Sequence, residues 1–414
     1  MRAERPGRGV PATGEIVMTA GDTAVPFSLR PVPEVHFGAG RVAAVADDAA
    51  ALDPAGDPIV LVADAALHEL AVTGKVIDPL RKAGATVEVF VASAREPKEE
   101  DVEAATDFVR SNKAGLVIAF GGGSAMDIGK MAAAVARSDK PAAAFAMEGD
   151  PLPADRVPKI CIPTTAGTGS ELSSTNIFTA ASGKKVWIWG SKTKPERVIL
   201  DPQLTVTLPA NLTAWTGLDA FVHALESCTN VHRHAANDLY SHHALGLITG
   251  ALETAVAEPG NLEARGAMLL GSAYAGMAID NCSAGMAHNT SHSLAAVAPV
   301  HHGLATALGL EVVLAWQAEG DDGPFARAAA ACGLAGGAGE LAPWYAGWLD
   351  RLGIERRLPA SFAGLGTADL AREMFADETS YMRLSSRRTV GDTDLEGFAA
   401  KVMEMAPPAE GATP

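Results

Sequence analysis

Asp219 and His223 stand four residues apart in Thr216-Gly217-Leu218-Asp219-Ala220-Phe221-Val222-His223-Ala224-Leu225-Glu226, so on a helix both project from one face. Downstream come His288, His292, His301 and His302, the last followed by Gly303. One carboxylate with several imidazoles suits Fe(II), Zn(II) or another borderline divalent ion. The Asp/His pair alone reads more readily as a capped or solvated helix face, and the second histidine cluster is what brings the metal level with that reading.

Two small-residue segments carry a different chemistry. Gly121-Gly122-Gly123-Ser124-Ala125-Met126-Asp127-Ile128-Gly129-Lys130 follows the apolar run Leu116 to Phe120 and leads into the helical stretch Met131 to Ala136. Glycines at a strand's end, opening a helix, let backbone N–H groups approach a pyrophosphate. The pattern is neither GxGxxG nor a Walker loop, and a tight turn without ligand is its plainer reading. Pro163-Thr164-Thr165-Ala166-Gly167-Thr168-Gly169-Ser170-Glu171 follows Lys159 to Ile162 in the same way, with hydroxyls that can bond a ribose, a phosphate or a carboxamide. Two such loops at the carboxyl ends of strands converge on one crevice in an open α/β sheet. Asp64, just past Leu61-Val62, is placed to bond adenosine ribose hydroxyls and to repel a 2′-phosphate; it reads equally as the N-cap of a helix over Ala65 to Leu70.

These residues need elements to hold them. Short β-branched runs (58–62, 86–90, 116–120, 159–162) alternate with helical stretches such as Lys75 to Lys82 and Glu99 to Ser111, the rhythm of a parallel sheet. After Pro209 come long Ala/Leu segments broken by Gly320-Asp321-Asp322-Gly323-Pro324 and Gly333 to Gly339, which read as a helical domain. The expected organisation is a flexible leader over 1–30, an α/β domain over 31–208, a helical domain over 209–406 and a frayed tail over 407–414. Residues 1–17 carry Arg2, Arg5 and Arg8 among Pro and Gly with no apolar core, so they do not read as a signal peptide, and Met18 is a candidate start.

The chain has 414 residues, of which 48% are hydrophobic and 20% charged, enough for a sizeable core. Its formal charge of −16 argues against nucleic acid or an anionic membrane as partner. No run of about 18 uninterrupted apolar residues occurs, so no membrane span is expected. The four cysteines are scattered without CxxC spacing, which fits a reducing cytoplasm.

The glycine segment, the Pro-Thr-Thr segment, Asp201-Pro202 with Leu208-Pro209, the Asp219/His223 helix and His302-Gly303 together resemble the iron-containing (group III) alcohol dehydrogenase family, in its order and spacing, from about Pro33 to about residue 400. The resemblance implies an α/β plus all-α architecture: an N-terminal Rossmann-like dinucleotide-binding domain followed by an all-helical metal-binding domain, as in the dehydroquinate synthase-like superfamily. It implies metal ligands at Asp219, His223, His288 and His302, with His292 near the substrate. Cofactor contacts fall on Gly122, Gly123 and Ser124 with Asp127 close by, on Thr164, Thr165 and Thr168, and on Lys185, with Lys184 the one-residue alternative; Asp64 takes the position tied to preference for NAD over NADP. Ile279 and Ala284 are smaller than the aromatic and leucine that many members have, which implies a roomier substrate pocket. His301 has no family role, and Trp187 and Trp189 read as strand packing.

The implied activity is hydride transfer between a primary alcohol or aldehyde and NAD(H), with one divalent ion, Fe(II) before Zn(II), polarising the substrate oxygen and His292 relaying the proton. The implied partner is a small molecule, and a homodimer is the expected assembly. An anionic aldehyde bearing phosphonate, sulfonate or carboxylate is the alternative substrate. Maleylacetate-reductase-like, lyase and polyol-dehydrogenase chemistry share the fold; the intact Asp and three His speak against the metal-free branch.

Overall fold

The computed structural model describes residues 25–408 except 54, 94, 95, 148 and 322. The candidate start at Met18, the leader through residue 24 and the tail from 409 lie outside the described residues.

The runs 59–62, 116–120 and 159–162 are buried on both faces, which a parallel sheet covered by helices requires, whereas 86–90, on an edge strand, is only partly buried. In chain order the first half contains β1 (Glu34–Phe37), α1 (Val45–Leu52), β2 (Ile59–Asp64), α2 (Ala65–Glu69), α3 (Gly74–Lys82), β3 (Val87–Ala92), α4 (Glu99–Ser111), β4 (Leu116–Gly121), α5 (Gly123–Val135), β5 (Lys159–Pro163), the antiparallel hairpin β6 (Thr175–Thr179) and β7 (Lys185–Trp189), and β8 (Arg197–Leu200). Six strands form one parallel sheet in the order β1-β8-β5-β4-β2-β3. Register decides what the sheet presents at its carboxyl edge. Gly121 pairs with Pro163, so the glycine loop and the hydroxyl loop leave neighbouring strands at one level. Ala63 pairs with Phe120, which brings Asp64 up beside Gly121.

The second half contains α6 (Ala210–Thr229), α7 (Ala235–Ala257), α8 (Leu262–Ile279), α9 (Met286–Val297), α10 (His302–Ala318), α11 (Pro324–Ala331), α12 (Leu341–Arg351), α13 (Thr367–Phe375), α14 (Ser380–Leu384) and α15 (Asp392–Met403). From Gly217 to Thr229 every residue of α6 is buried, as befits a helix at the centre of a bundle; α7, α8 and α10 pack around it. Phe221 anchors this core against Tyr345 (5.6 Å between ring centres) and Trp348 (5.0 Å).

The two halves meet through the hydroxyl loop. A Cβ on Gly167 would lie 2.7 Å from Thr216 Cβ on α6, and one on Gly169 would lie 2.5 Å from Gly276 Cα on α8. Gly169 also has φ +61°, so it satisfies a close approach and a left-handed turn at once. A buried ion pair, Lys194 Nζ to Asp280 Oδ2 at 2.7 Å, crosses the same joint. The segment from Val25 touches both halves: Phe27 stacks on His234 and the Arg30 N–H donates to Asn281 Oδ1 at 2.8 Å in the helical half, and Pro31 O accepts from Lys194 Nζ at 2.8 Å in the other. No described helix is long and apolar enough to cross a membrane.

Candidate metal centre and cofactor crevice

Asp219 and His223 lie one turn apart in α6, His288 and His292 one turn apart in α9, and His302 opens α10. Ligand atoms of Asp219, His288 and His302 lie within 4.8 Å of one another. Asp219 Oδ1 is 3.6 Å from His302 Nε2 and 3.9 Å from His288 Nε2. These separations are too long for hydrogen bonds. They suit a shared cation, since two donors about 2.1 Å from a tetrahedral ion stand about 3.4 Å apart. Asp219 Oδ1 and His288 Nε2 are buried with no hydrogen-bond partner, a costly arrangement for an apoprotein and an ordinary one for ligands. The donor set therefore fits a divalent ion.

His223 stands beside this group. Its Nδ1, also buried and unpartnered, is 3.9 Å from Asp219 Oδ2, and its ring stacks on His288 at 4.6 Å. His292 lies at the rim, its ring 5.7 Å from that of His302 and 6.3 Å from that of His288. Burial depresses the imidazole pKa of His223, His292 and His302, so each offers a neutral nitrogen lone pair near neutral pH. His301 points its ring at Trp215, 4.9 Å away.

Groups that the sequence reading did not single out orient these rings. Ser291 Oγ lies 3.1 Å from His302 Nδ1 and accepts from Thr306 Oγ1 at 3.0 Å. Glu226, one turn beyond His223 on α6, holds His288 Nδ1 at 2.6 Å. Its signal was its spacing: Asp219, His223 and Glu226 stand at i, i+4 and i+7 on one helical face.

The crevice lies where the two loops leave the sheet. A Cβ on Gly123 would lie 2.8 Å from Thr168 Cγ2, one on Gly122 3.5 Å from Thr165 Cγ2, and one on Gly121 2.7 Å from Asp64 Cβ. Small residues are thus needed for the loops to face each other. No side chain caps the start of α5 and its first turn has no acidic residue, so its N–H groups and positive dipole end remain available to an anion. Ser124 sits in that first turn, partly exposed, and Thr165 and Thr168 are partly exposed in the hydroxyl loop; Thr164 is buried and its N–H donates to Gly121 O at 2.9 Å. This cradle fits a dinucleotide's pyrophosphate.

Asp127 and Lys130 face inward instead. Asp127 accepts from Ser170 Oγ and, at 3.0 Å, from the Ile177 N–H. Lys130, fully buried, donates to Ser170 O at 2.6 Å and Ser173 O at 3.0 Å. Both bind the hydroxyl loop to α5, so the aspartate that the sequence placed near the cofactor acts here on the loop. Asp64 Oδ1 accepts from the Ala66 N–H at 2.9 Å, which realises the capping reading and leaves the carboxylate beside Gly121. Lys185 extends from β7 to Glu96 at 2.9 Å, and its charge bears on both His292 and His302; Lys184 faces outward to Glu378 at 2.6 Å. Trp187 packs edge-on against Tyr381, whereas Trp189 is exposed beneath the Arg30 guanidinium.

Known proteins share this arrangement. Residues 32–202 match the family described as iron-containing alcohol dehydrogenase, and residues 213–378 match the C-terminal family of Fe-containing alcohol dehydrogenases. The chain is 35% identical over 260 residues to long-chain-alcohol dehydrogenase 1 of Geobacillus thermodenitrificans, a match covering 62% of this chain and 66% of that protein, just under two thirds of its length. It is 32% identical over 275 residues to sulfoacetaldehyde reductase of Bilophila wadsworthia, covering 66% of this chain and 70% of that one. Among solved structures, sulfoacetaldehyde reductase from Bifidobacterium kashiwanohense in complex with NAD+ superposes with a TM-score of 0.83 at 27% identity, over 92% of this chain and 99% of the other. With both halves matched in order around one donor cluster and one glycine crevice, the chain belongs to the iron-containing alcohol dehydrogenase family.

Proposed function

We propose that this protein transfers a hydride between a primary alcohol or its aldehyde and NAD(H), using one divalent ion held by Asp219, His223, His288 and His302. The observation that carries the reading is the convergence of unpartnered buried donors, Asp219 Oδ1 and His288 Nε2, with His302 Nε2 beside a glycine-lined crevice. The ion, when bound, draws electron density from the substrate oxygen, and NAD(H) exchanges the hydride.

The chain's own residues do the rest. The free N–H groups of α5 with Gly122, Gly123 and Ser124 hold the pyrophosphate, while Thr164, Thr165 and Thr168 line the opposite wall. Asp64 bonds the adenosine ribose and repels a 2′-phosphate, favouring NAD over NADP. Lys185 contacts the cofactor on the metal side. Neutral His292 takes the proton that leaves the substrate hydroxyl on a ring nitrogen and passes it to solvent. Fe(II) is favoured over Zn(II) by the family's habit, since imidazole and carboxylate suit both. Domain limits of 31–208 and 209–406 accord with the last sheet strand ending at Leu200 and α6 starting at Ala210. A homodimer is supported by the edge position of β1 and by the exposed Phe27, Leu29 and Phe37. Residence in the cytoplasm accords with four free cysteines.

A second reading, reduction of an anionic aldehyde, is favoured by the Lys185 charge, which bears on His292 and His302, and by the likeness to sulfoacetaldehyde reductases. Metal analysis of freshly purified protein, joined to an NADH-oxidation screen over neutral and anionic aldehydes, separates the two. One ion per chain with turnover of neutral aldehydes supports the first, and a preference for the anionic set supports the second. Protein without metal and without turnover refutes both.

A further inference from the structure

We propose that Glu226 is the positioning residue of the metal centre: it fixes His288 in the tautomer that turns a bare Nε2 toward Asp219 and His302, and it seats the helix that carries His288. The inference rests on the metal-site reading above.

Glu226 is 3% exposed, and its carboxylate accepts three hydrogen bonds: from the Gly285 N–H at 2.6 Å, from the Ala287 N–H at 2.7 Å and from His288 Nδ1 at 2.6 Å. Both carboxylate oxygens already accept from backbone N–H groups, so the short contact to Nδ1 places the proton on the ring nitrogen. In the neutral ring a proton on Nδ1 leaves the lone pair on Nε2, the atom that is buried, unpartnered and 3.9 Å from Asp219 Oδ1. The other two bonds satisfy orphan N–H groups at the start of α9, which has no side-chain cap of its own. Glu226 thereby joins α6, which carries Asp219 and His223, to α9, which carries His288. Gly285 permits the seat, because a Cβ there would lie 2.9 Å from Glu226 Cδ and Oε1.

Chemistry distinguishes the tautomer role from simple packing. In Glu226→Gln, the near-isosteric amide has a single accepting oxygen for three donors. When its NH2 faces Nδ1, the histidine proton moves to Nε2, where the lone pair was needed. Outer partners of this kind are worth 10- to 100-fold in metal affinity.

The test uses the full chain stripped of metal by chelation. Zn2+ affinity, read by chelator competition, is expected to fall roughly 10- to 100-fold in Glu226→Gln, while NAD+ affinity, set in the other half, stays within about twofold. Gly285→Ala, which fills the carboxylate's seat, is expected to weaken Zn2+ in the same direction. Unchanged Zn2+ affinity in both variants overturns the proposal. Should the variants fail to fold, the native metal-free protein labelled with 15N-histidine decides: His288 as the Nδ1–H tautomer supports the proposal, and Nε2–H overturns it. Native protein that binds no divalent ion overturns the metal-site reading itself, a result distinct from the tautomer readout.

Discussion

Replacing Lys194 by Met tests how the two halves are held together. Lys194 is 7% exposed at its side chain and Asp280 is fully buried there, with Nζ 2.7 Å from Oδ2. Removing one partner of such a pair leaves a buried charge uncompensated, which costs about 3–5 kcal/mol. Two features of the site set the value at the lower end. Asp280 keeps the Ser174 N–H at 2.5 Å and the Ser174 hydroxyl at 3.3 Å, so its carboxylate still has two donors. Lys194 itself loses only one further bond, to Pro31 O at 2.8 Å. We expect Lys194→Met to cost about 3 kcal/mol and Asp280→Asn about the same. The double variant, with neither charge left buried, should also cost about 3 kcal/mol rather than the sum, giving a coupling near the top of the range for contacting residues. Urea unfolding followed by tryptophan fluorescence measures all four proteins. Additive losses, or single losses under about 1 kcal/mol, would refute the idea that a buried charge pair governs this joint.

Three further outcomes are expected. His292→Ala should slow turnover and alter the pH–rate profile with metal content unchanged, by metal analysis and steady-state kinetics; an unaltered profile removes its proton role. Gly123→Ala, whose Cβ would sit 2.8 Å from Thr168 Cγ2, should weaken NAD+ binding at least about tenfold by calorimetry, and adding Thr168→Ser should recover part of the loss; native affinity in the single variant contradicts the close-packed crevice. Glu171, buried in the hydroxyl loop, has its carboxyl pushed up to about 7 by burial, outweighing Lys130. A folded-state value above the unfolded one contributes stability fully below the unfolded pKa near 4.5, lost as pH rises through about 7. Glu171→Gln should therefore remove a decline of up to about 3 kcal/mol between those limits, measured as urea midpoints against pH. A native-minus-variant difference that does not fall over this interval counts against it.

Much of the scaffold was legible because burial on both faces leaves a plain mark. The run 116–120 appears as β4 and the stretch Glu99 to Ser111 as α4, since continuous apolar residues and a 3.6-residue period arise from local geometry. The β6–β7 hairpin was seen only as two odd tryptophans, and β1 and β8 were not singled out; strands of four or five residues carry too little pattern. Asp64 shows a residue whose two readings coexist, for its oxygen caps α2 while its carbon framework touches the glycine loop. Asp127 shows the opposite: motif position put it near the cofactor, and its partners Ser170 and Ile177 come from a loop and a hairpin that only folding brings there.

By itself the sequence determined which chemistries were available: a carboxylate and imidazoles able to hold a borderline divalent cation, glycines able to admit a phosphate, and a net negative charge. Those follow from side-chain type and local spacing. Tertiary structure decided which of these groups meet. The parallel register set Gly121 level with Pro163, and the packing of α6, α9 and α10 brought together donors 83 positions apart, from Asp219 to His302. It also chose the outer partners, Glu226 for His288 and Ser291 for His302, because a hydrogen bond depends on ångström distances between helices, which the order of residues along the chain does not contain.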